Sequence, residues 1–341
     1  MNSIVDKMKT QMVLQMNITF NERVRNTFGY DIVDEKTLDQ DQLTGRFLAK
    51  IKSIASGVYE QEGISDKIDV AYLNNNYFNA YASYDGQDII LINVGMVSGL
   101  LDLATRLIDD PNHFMWIEDQ PTRARLGGWL VDIGLEFFFY HELSHVLHGH
   151  TRFVNNAYSL QSIGEMSATE LGETGNLDRQ TMEMDADSSA TNQYFSRVWE
   201  SQWEIPKCEQ FEKAYGEGAT PLVLAAKMLF QSFMMMDQTL DYDGIESRTH
   251  PPAPVRMGIL LDVGSKIVAR RMGIDEKVAA AMLIAGIVPE NKDFLPDLKK
   301  FNEVYTDGYW AYVKRLLDNW RDLRPKLLPH SRGFPLVPAR D

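Results

Sequence analysis

The chain has 341 residues, enough to bury a large core as one big domain or two modest ones. Its 48 acidic and 34 basic residues give a formal net charge of −14, which argues for solubility and against a nucleic-acid surface. The single cysteine, Cys208, excludes an internal disulfide framework and fits a reducing cytosol.

Taken in chain order, the N-terminal stretch lacks a clean apolar signal core followed by a cleavage site, so a cytoplasmic protein is expected. Helices are expected over Ile4 to Gln15 and Asp39 to Tyr59, within an N-terminal helical region of residues 1–60. The strongest β signal follows. Ile68 to Leu73 reads as a short strand. Tyr77 to Ser83 and Ile89 to Val94 read as a hairpin, with Asp85-Gly86 marking the turn. Gly95 to Leu107 is a helix that stops before Pro111.

The segment from Gly128 to Gly149 is apolar nearly all round and too long for a strand, the pattern of a buried helix. It ends in HELSHVLHGH, residues 141–150, which holds four of the seven histidines. On a helix, His141 and His145 are four residues apart and project from one face, where two neutral imidazoles can grip a metal ion. Glu142 is placed to act as general base on a metal-activated water. A charged Glu and two His in an apolar helix are costly unless paired or metal-bound. Residues Ser159 to Asn176 are rich in Gly, Ser, Thr and Glu and read as a loop, either plain surface or a lid.

A catalytic zinc takes three protein ligands and leaves a position for water. The pattern H-E-x-x-H-x-x-G-x-x-H requires glycine and histidine where this chain has His148 and Thr151, so that class fails. A Glu from a second helix is the alternative. In RQTMEMDADSSATNQY, residues 179–194, Glu183 and Asp187 share a helix face. Glu183 would bind zinc, and Asp187 would accept a hydrogen bond from the outer nitrogen of a ligand His. Asp185 points away from that face and is the competing choice; an acidic solvated face is the bland one. Further helices are expected over Arg179 to Glu200, Pro206 to Tyr215, Pro221 to Gln238, Ala253 to Arg271, Asp275 to Ile287 and Asn302 to Asp322. Pro221 to Met236 is interrupted by Lys227, Gln231 and Ser232, too polar and short for a comfortable membrane span.

His250, just before a proline-started helix, can donate to the oxyanion of a tetrahedral intermediate; a capping role is the alternative. Arg256 would pair with a site carboxylate or bind substrate. From Lys314 to Asp341, seven Lys/Arg against three Asp make a locally basic tail, either a solvated helix end or a docking surface for an acidic partner or activator. Pro325 to Pro338 is expected to be an extended arm.

In this order the pieces resemble the HExxH…ExxxD gluzincins of the CaaX-processing and HtpX type, and especially the soluble phage-exclusion Lit peptidases. Four segments carry the resemblance: Phe78 to Tyr81 with Gln87 to Met96, His141 to His150, Glu183 to Ala190, and Thr249 to Pro252 with Arg256. Asp185 stands where that family usually has Glu. The membrane helices of the HtpX type are missing, and the N-terminal 60 and C-terminal 70 residues match no named pattern. The resemblance implies zinc held by His141, His145 and Glu183, with Glu142 as base and His250 and Arg256 assisting. It further implies that the strand bearing Asn79, Ala80 and Tyr81 pairs with an extended peptide substrate, which edge-strand geometry allows independently.

The expected fold is α+β, predominantly helical: a zincin-like core over residues 61–272 with a small sheet beside the HExxH helix. A helical region and extended tail over 273–341 complete it. The expected activity is zinc-dependent hydrolysis of peptide bonds in a protein substrate, with neither nucleic acid nor membrane as partner. Two other classes stay open: a non-catalytic, zinc-stabilised regulatory module, and a hydrolase of small amides.

Overall fold

A computed structural model of the chain describes residues 19–38, 42–62, 68–109, 117, 119–159, 162–164, 172–201, 205–236, 245–287, 306–332 and 336. The expected helix over Ile4 to Gln15 lies outside these residues. Helices α1 (Phe20–Phe28), α2 (Glu35–Leu38) and α3 (Gln42–Glu62) precede strands β1 (Ile68–Leu73), β2 (Ala80–Tyr84) and β3 (Asp88–Asn93). Then come α4 (Val94–Asp109), α5 (Gln120–Leu147), α6 (His150–Tyr158), β4 (Ser162–Gly164) and α7 (Gly172–Glu200). The remaining helices are α8 (Glu209–Tyr215), α9 (Ala219–Met236), α10 (Ala253–Met272), α11 (Glu276–Ile287) and α12 (Asp307–Leu327). The architecture is a predominantly helical α+β fold with one small mixed sheet.

The sheet order is β1-β3-β2-β4. β1 runs parallel to β3, and β2 is antiparallel to both β3 and β4. The β2–β3 hairpin turns where expected, with Gly86 at φ 100°, a conformation that favours glycine. Side-chain alternation sorts the two faces. Val70, Tyr72, Ala80, Ala82, Ile90 and Ile92 join the main core with residues of α3, α4 and α5. Ala71, Leu73, Ile89 and Leu91 face Val24 of α1.

Helix α5 crosses the main core. Its N-cap Asp119 accepts from the Thr122 N–H, and Pro121 occupies the first turn, where no intrahelical donor is needed. The buried Phe137, Phe138 and Phe139 contribute about 1.5–3 kcal/mol each by leaving water. Gly149 ends the apolar run in the left-handed region, at φ 81°. A Cβ there would also lie 2.4 Å from the backbone of His330, so the C-terminal chain passes too close for any side chain.

Three expectations are corrected. β2 is not an edge strand along Tyr81–Ser83, because β4 pairs with it there. β4 is only three residues long, too short to show an alternating pattern. It and the first turns of α7 fall inside the stretch read as a loop; residues 160, 161 and 165–171 lie outside the described residues. Pro325 sits inside α12, followed by a 3-10 turn over Leu328–His330, so the extended arm does not begin there. Buried Leu323 and Leu327 anchor that last turn despite the lost N–H.

Helix α9 is the one described helix long and apolar enough to cross a membrane, yet 83% of it is buried inside the protein. Residues Ala279, Met282 and Leu283 of α11 belong to the main core. α12 closes a second core against α6, α7 and α10 through Tyr309, Tyr312, Leu316 and Trp320. The described part of the region after residue 272 is thus built into the same body as the helices before it. Several basic residues of α12 are already paired, Lys314 with Asp318 and Arg315 with Glu173 and Glu246.

Candidate metal centre

Helices α5 and α7 pack side by side and bring the expected donors together. His141 Nε2 lies 3.1 Å from His145 Nε2 and 3.1 Å from Glu183 Oε2. His145 Nε2 lies 3.4 Å from Glu183 Oε1. Ligand atoms at zinc bond lengths of about 2.0–2.1 Å in a tetrahedron are separated by about 3.3 Å, so these three fit around one ion. All three side chains are buried.

The outer shell fixes proton positions. His141 Nδ1 lies 3.0 Å from Asp187 Oδ1. Asp187 in turn accepts two hydrogen bonds from Arg256, 2.8 Å from Nε and 2.7 Å from Nη2. The Arg256 guanidinium stacks 4.4 Å from the Phe233 ring centroid. Burial would raise the Asp187 carboxyl, but Arg256 and His141 outweigh it and hold it low, so it is ionised. The ring nitrogen facing it therefore carries the hydrogen, and in the neutral ring the His141 Nε2 lone pair points at Glu183. Burial would likewise raise Glu183, but His250, His145 and His141 outweigh it and keep it well below the usual carboxylate range. In that tautomer the His141 Nε2 lone pair faces the Glu183 carboxylate, a repulsion that an intervening metal ion would relieve. The donor set is suited to a metal ion on these grounds.

His250 Nε2 lies 3.4 Å from Glu183 Oε1. It has no hydrogen-bond partner among the described residues, while Thr249 Oγ1 holds its Nδ1 at 2.9 Å. His250 therefore faces the centre rather than capping α10. Arg256 is buried on Asp187, so its place is behind the ligands and not against a substrate. Glu142, next to His141 on α5, is also buried.

The strand residues are placed differently. The Asn79 side chain accepts from the Ala80 N–H, and its carbonyl accepts from the Asn93 N–H. Ala80 is buried against the helical core, whereas Tyr81 lies on the opposite sheet face against Phe28. Among the described residues β4 pairs with Tyr81, Ala82 and Ser83, so substrate pairing along those positions is blocked. Burial, the largest influence, pushes the Tyr81 phenol up, and the nearby Glu142 charge adds to this.

The sequence did not single out a second cluster. His148, His150 and Asp185 are all buried and close together. The turn at Gly149 swings the chain back, so that His150 Nδ1 lies 3.0 Å from His145 Nδ1. His150 Nε2 lies 3.2 Å from Asp185 Oδ2 without hydrogen-bond alignment, and that oxygen accepts from His148 Nδ1. Burial pushes His150 down to about 4, so its ring is neutral. Burial would raise Asp185, but its two histidine partners outweigh it and keep it ionised. The available signal was the trailing His-Gly-His of the motif together with an acid two residues after Glu183. Comparison with protein-family models, curated proteins and solved structures finds no match to this chain.

Proposed function

We propose that this chain is a zinc-dependent endopeptidase of zincin-like fold that cleaves a protein substrate. The observation that carries the reading is the convergence of His141 Nε2, His145 Nε2 and the Glu183 carboxylate at ligand spacing, with Glu142 adjoining His141 on the same helix. Imidazole and carboxylate donors in this number suit zinc among the common divalent metals.

A bound zinc ion would polarise the scissile carbonyl and the attacking water. Glu142 removes a proton from that water at its carboxylate and passes it to the leaving amine. His250 donates from Nε2 to the developing oxyanion, a role that its Thr249 contact at Nδ1 helps to orient. Asp187 and Arg256 hold the His141 ring plane and tautomer. The substrate chain reaches the centre beside Asn79 and Ala80, ahead of the positions that β4 pairs. A bacterial cytosolic setting and a part in phage exclusion rest on the resemblance to the Lit peptidases alone.

The test is to express the wild type and Glu142→Gln in a bacterial host and label new protein N-termini in both. New termini with the wild type only, and zinc in both purified proteins, are expected. Equal termini in both would sink the mechanism. The approach of His250 to Glu183 favours a second reading, a closed zinc site in a regulatory module. In that case a cobalt-substituted protein shows no spectral change on adding a hydroxamate.

A further inference from the structure

The centre and the second cluster share one hydrogen bond, between His145 Nδ1 and His150 Nδ1, 3.0 Å apart. Each nitrogen has one role in it. A neutral His145 that offers the Nε2 lone pair to an ion carries its hydrogen on Nδ1 and must donate there. His150 Nδ1 then accepts, which puts the His150 hydrogen on Nε2, 3.2 Å from Asp185 Oδ2. The same carboxylate oxygen accepts from His148 Nδ1. The hydrogens of His145 and His150 are thereby assigned, and His150 Nε2 faces Asp185 at contact distance rather than in an aligned hydrogen bond.

The opposite assignment has a cost. For His150 to ligate an ion through Nε2, it must carry its hydrogen on Nδ1 and donate to His145. His145 then carries its own hydrogen on Nε2 and cannot ligate. While the shared bond holds, the two clusters cannot both be filled by neutral ligands. Spacing decides between them. The donors His141, His145 and Glu183 stand at ligand separations, whereas the His148 Nδ1 and Asp185 Oδ2 atoms are engaged with each other in a hydrogen bond.

We propose that His150 and Asp185 are positioning residues that fix the tautomer of His145 from behind, and that the His148–His150–Asp185 cluster holds protons rather than a second ion. This rests on the reading of His141, His145 and Glu183 as the zinc ligands. It gives both helical histidines an acidic anchor: Asp187 holds His141 directly, and Asp185 holds His145 through an intervening imidazole.

The experiment measures zinc stoichiometry and affinity by chelator competition in the full chain, with visible spectra of the cobalt forms. One zinc per wild-type chain is expected. His150→Leu should weaken zinc about 10- to 100-fold and alter the cobalt bands. His150→Asn, whose side-chain carbonyl can accept near the place of Nδ1, should recover most of the affinity. Should His150→Leu fail to fold, Asp185→Asn takes its place, with weakened zinc and altered bands expected. Zinc affinity and cobalt bands unchanged in variants that merely melt earlier would overturn the proposal and leave the zinc reading intact. Two zinc ions per wild-type chain, one of them lost in His150→Leu, would overturn it in favour of a second metal site. A wild type that binds no zinc would overturn both.

Discussion

Helices α5 and α7 flank the candidate centre, and both are buried along much of their length, α5 largely through a run of aromatic side chains before His141 and α7 through a run of polar side chains around Glu183. Phe137, Phe138 and Phe139 of α5 have no polar side-chain atoms to satisfy. On α7, Asn176, Asp178, Gln180, Glu183, Asp185 and Asp187 are equally buried. Their partners come from elsewhere in the chain. Gln180 Nε2 donates to the carbonyls of Ile245 and Arg248, and its Oε1 accepts from the Tyr312 hydroxyl. Asp178 accepts from Tyr158 and Asn319. Apolar burial needs only a core of adequate volume, whereas polar burial needs named partners in fixed places. The second helix is thus the more specific one, and it carries Glu183, Asp185 and Asp187.

Four substitutions would break or sharpen that contrast, from the largest effect to the smallest. Glu183→Ala on α7 should abolish stoichiometric zinc binding, read by metal analysis after dialysis; full zinc content would move the third ligand to another carboxylate. Phe138→Ala on α5 should cost about 3–5 kcal/mol of stability while zinc content per folded chain stays the same. Denaturant titration measures this, and a loss of metal without a loss of stability would contradict the division of labour. Asp187→Asn should weaken zinc about 10- to 100-fold by loosening His141, with little change in the unfolding midpoint of the metal-free protein. Unchanged affinity would remove Asp187 from the ligand support. Asn319→Ala, which deletes bonds to Asp178 and Thr181, should cost about 1 kcal/mol in chemical denaturation. No change would mean that water replaces this partner of α7 without loss.

The same contrast explains what could be read in advance. The apolar run before His141 announced α5, and the Asp-Gly turn announced the β2–β3 hairpin, because each is a local signal. Glu183 and Asp187 were legible from their four-residue spacing and the neighbouring HExxH motif. The start of α7 at Gly172 was not, since Asn176 and Asp178 look like loop residues until their partners on other elements are known. β4 was hidden by its three residues, so the pairing that covers part of β2 could not be anticipated. Asp185 looked like the wrong acid because only Glu183 and Asp187 share a face. The turn at Gly149 brings His148 and His150 around to meet it, a consequence of backbone geometry rather than of helical period.

Near its other end, the chain returns to close the structure around this turn. The Arg332 N–H donates to the Leu147 carbonyl at the end of α5, and its guanidinium reaches the buried Asp88 of β3, 244 residues earlier. Such distant partners make the centre late to mature. The ribosome must pass residue 332 before the helix that carries both histidines receives this clasp. Contacts of that span are slow to form. Under the proposed peptidase reading, the centre would lack this clasp until residue 332 had been made.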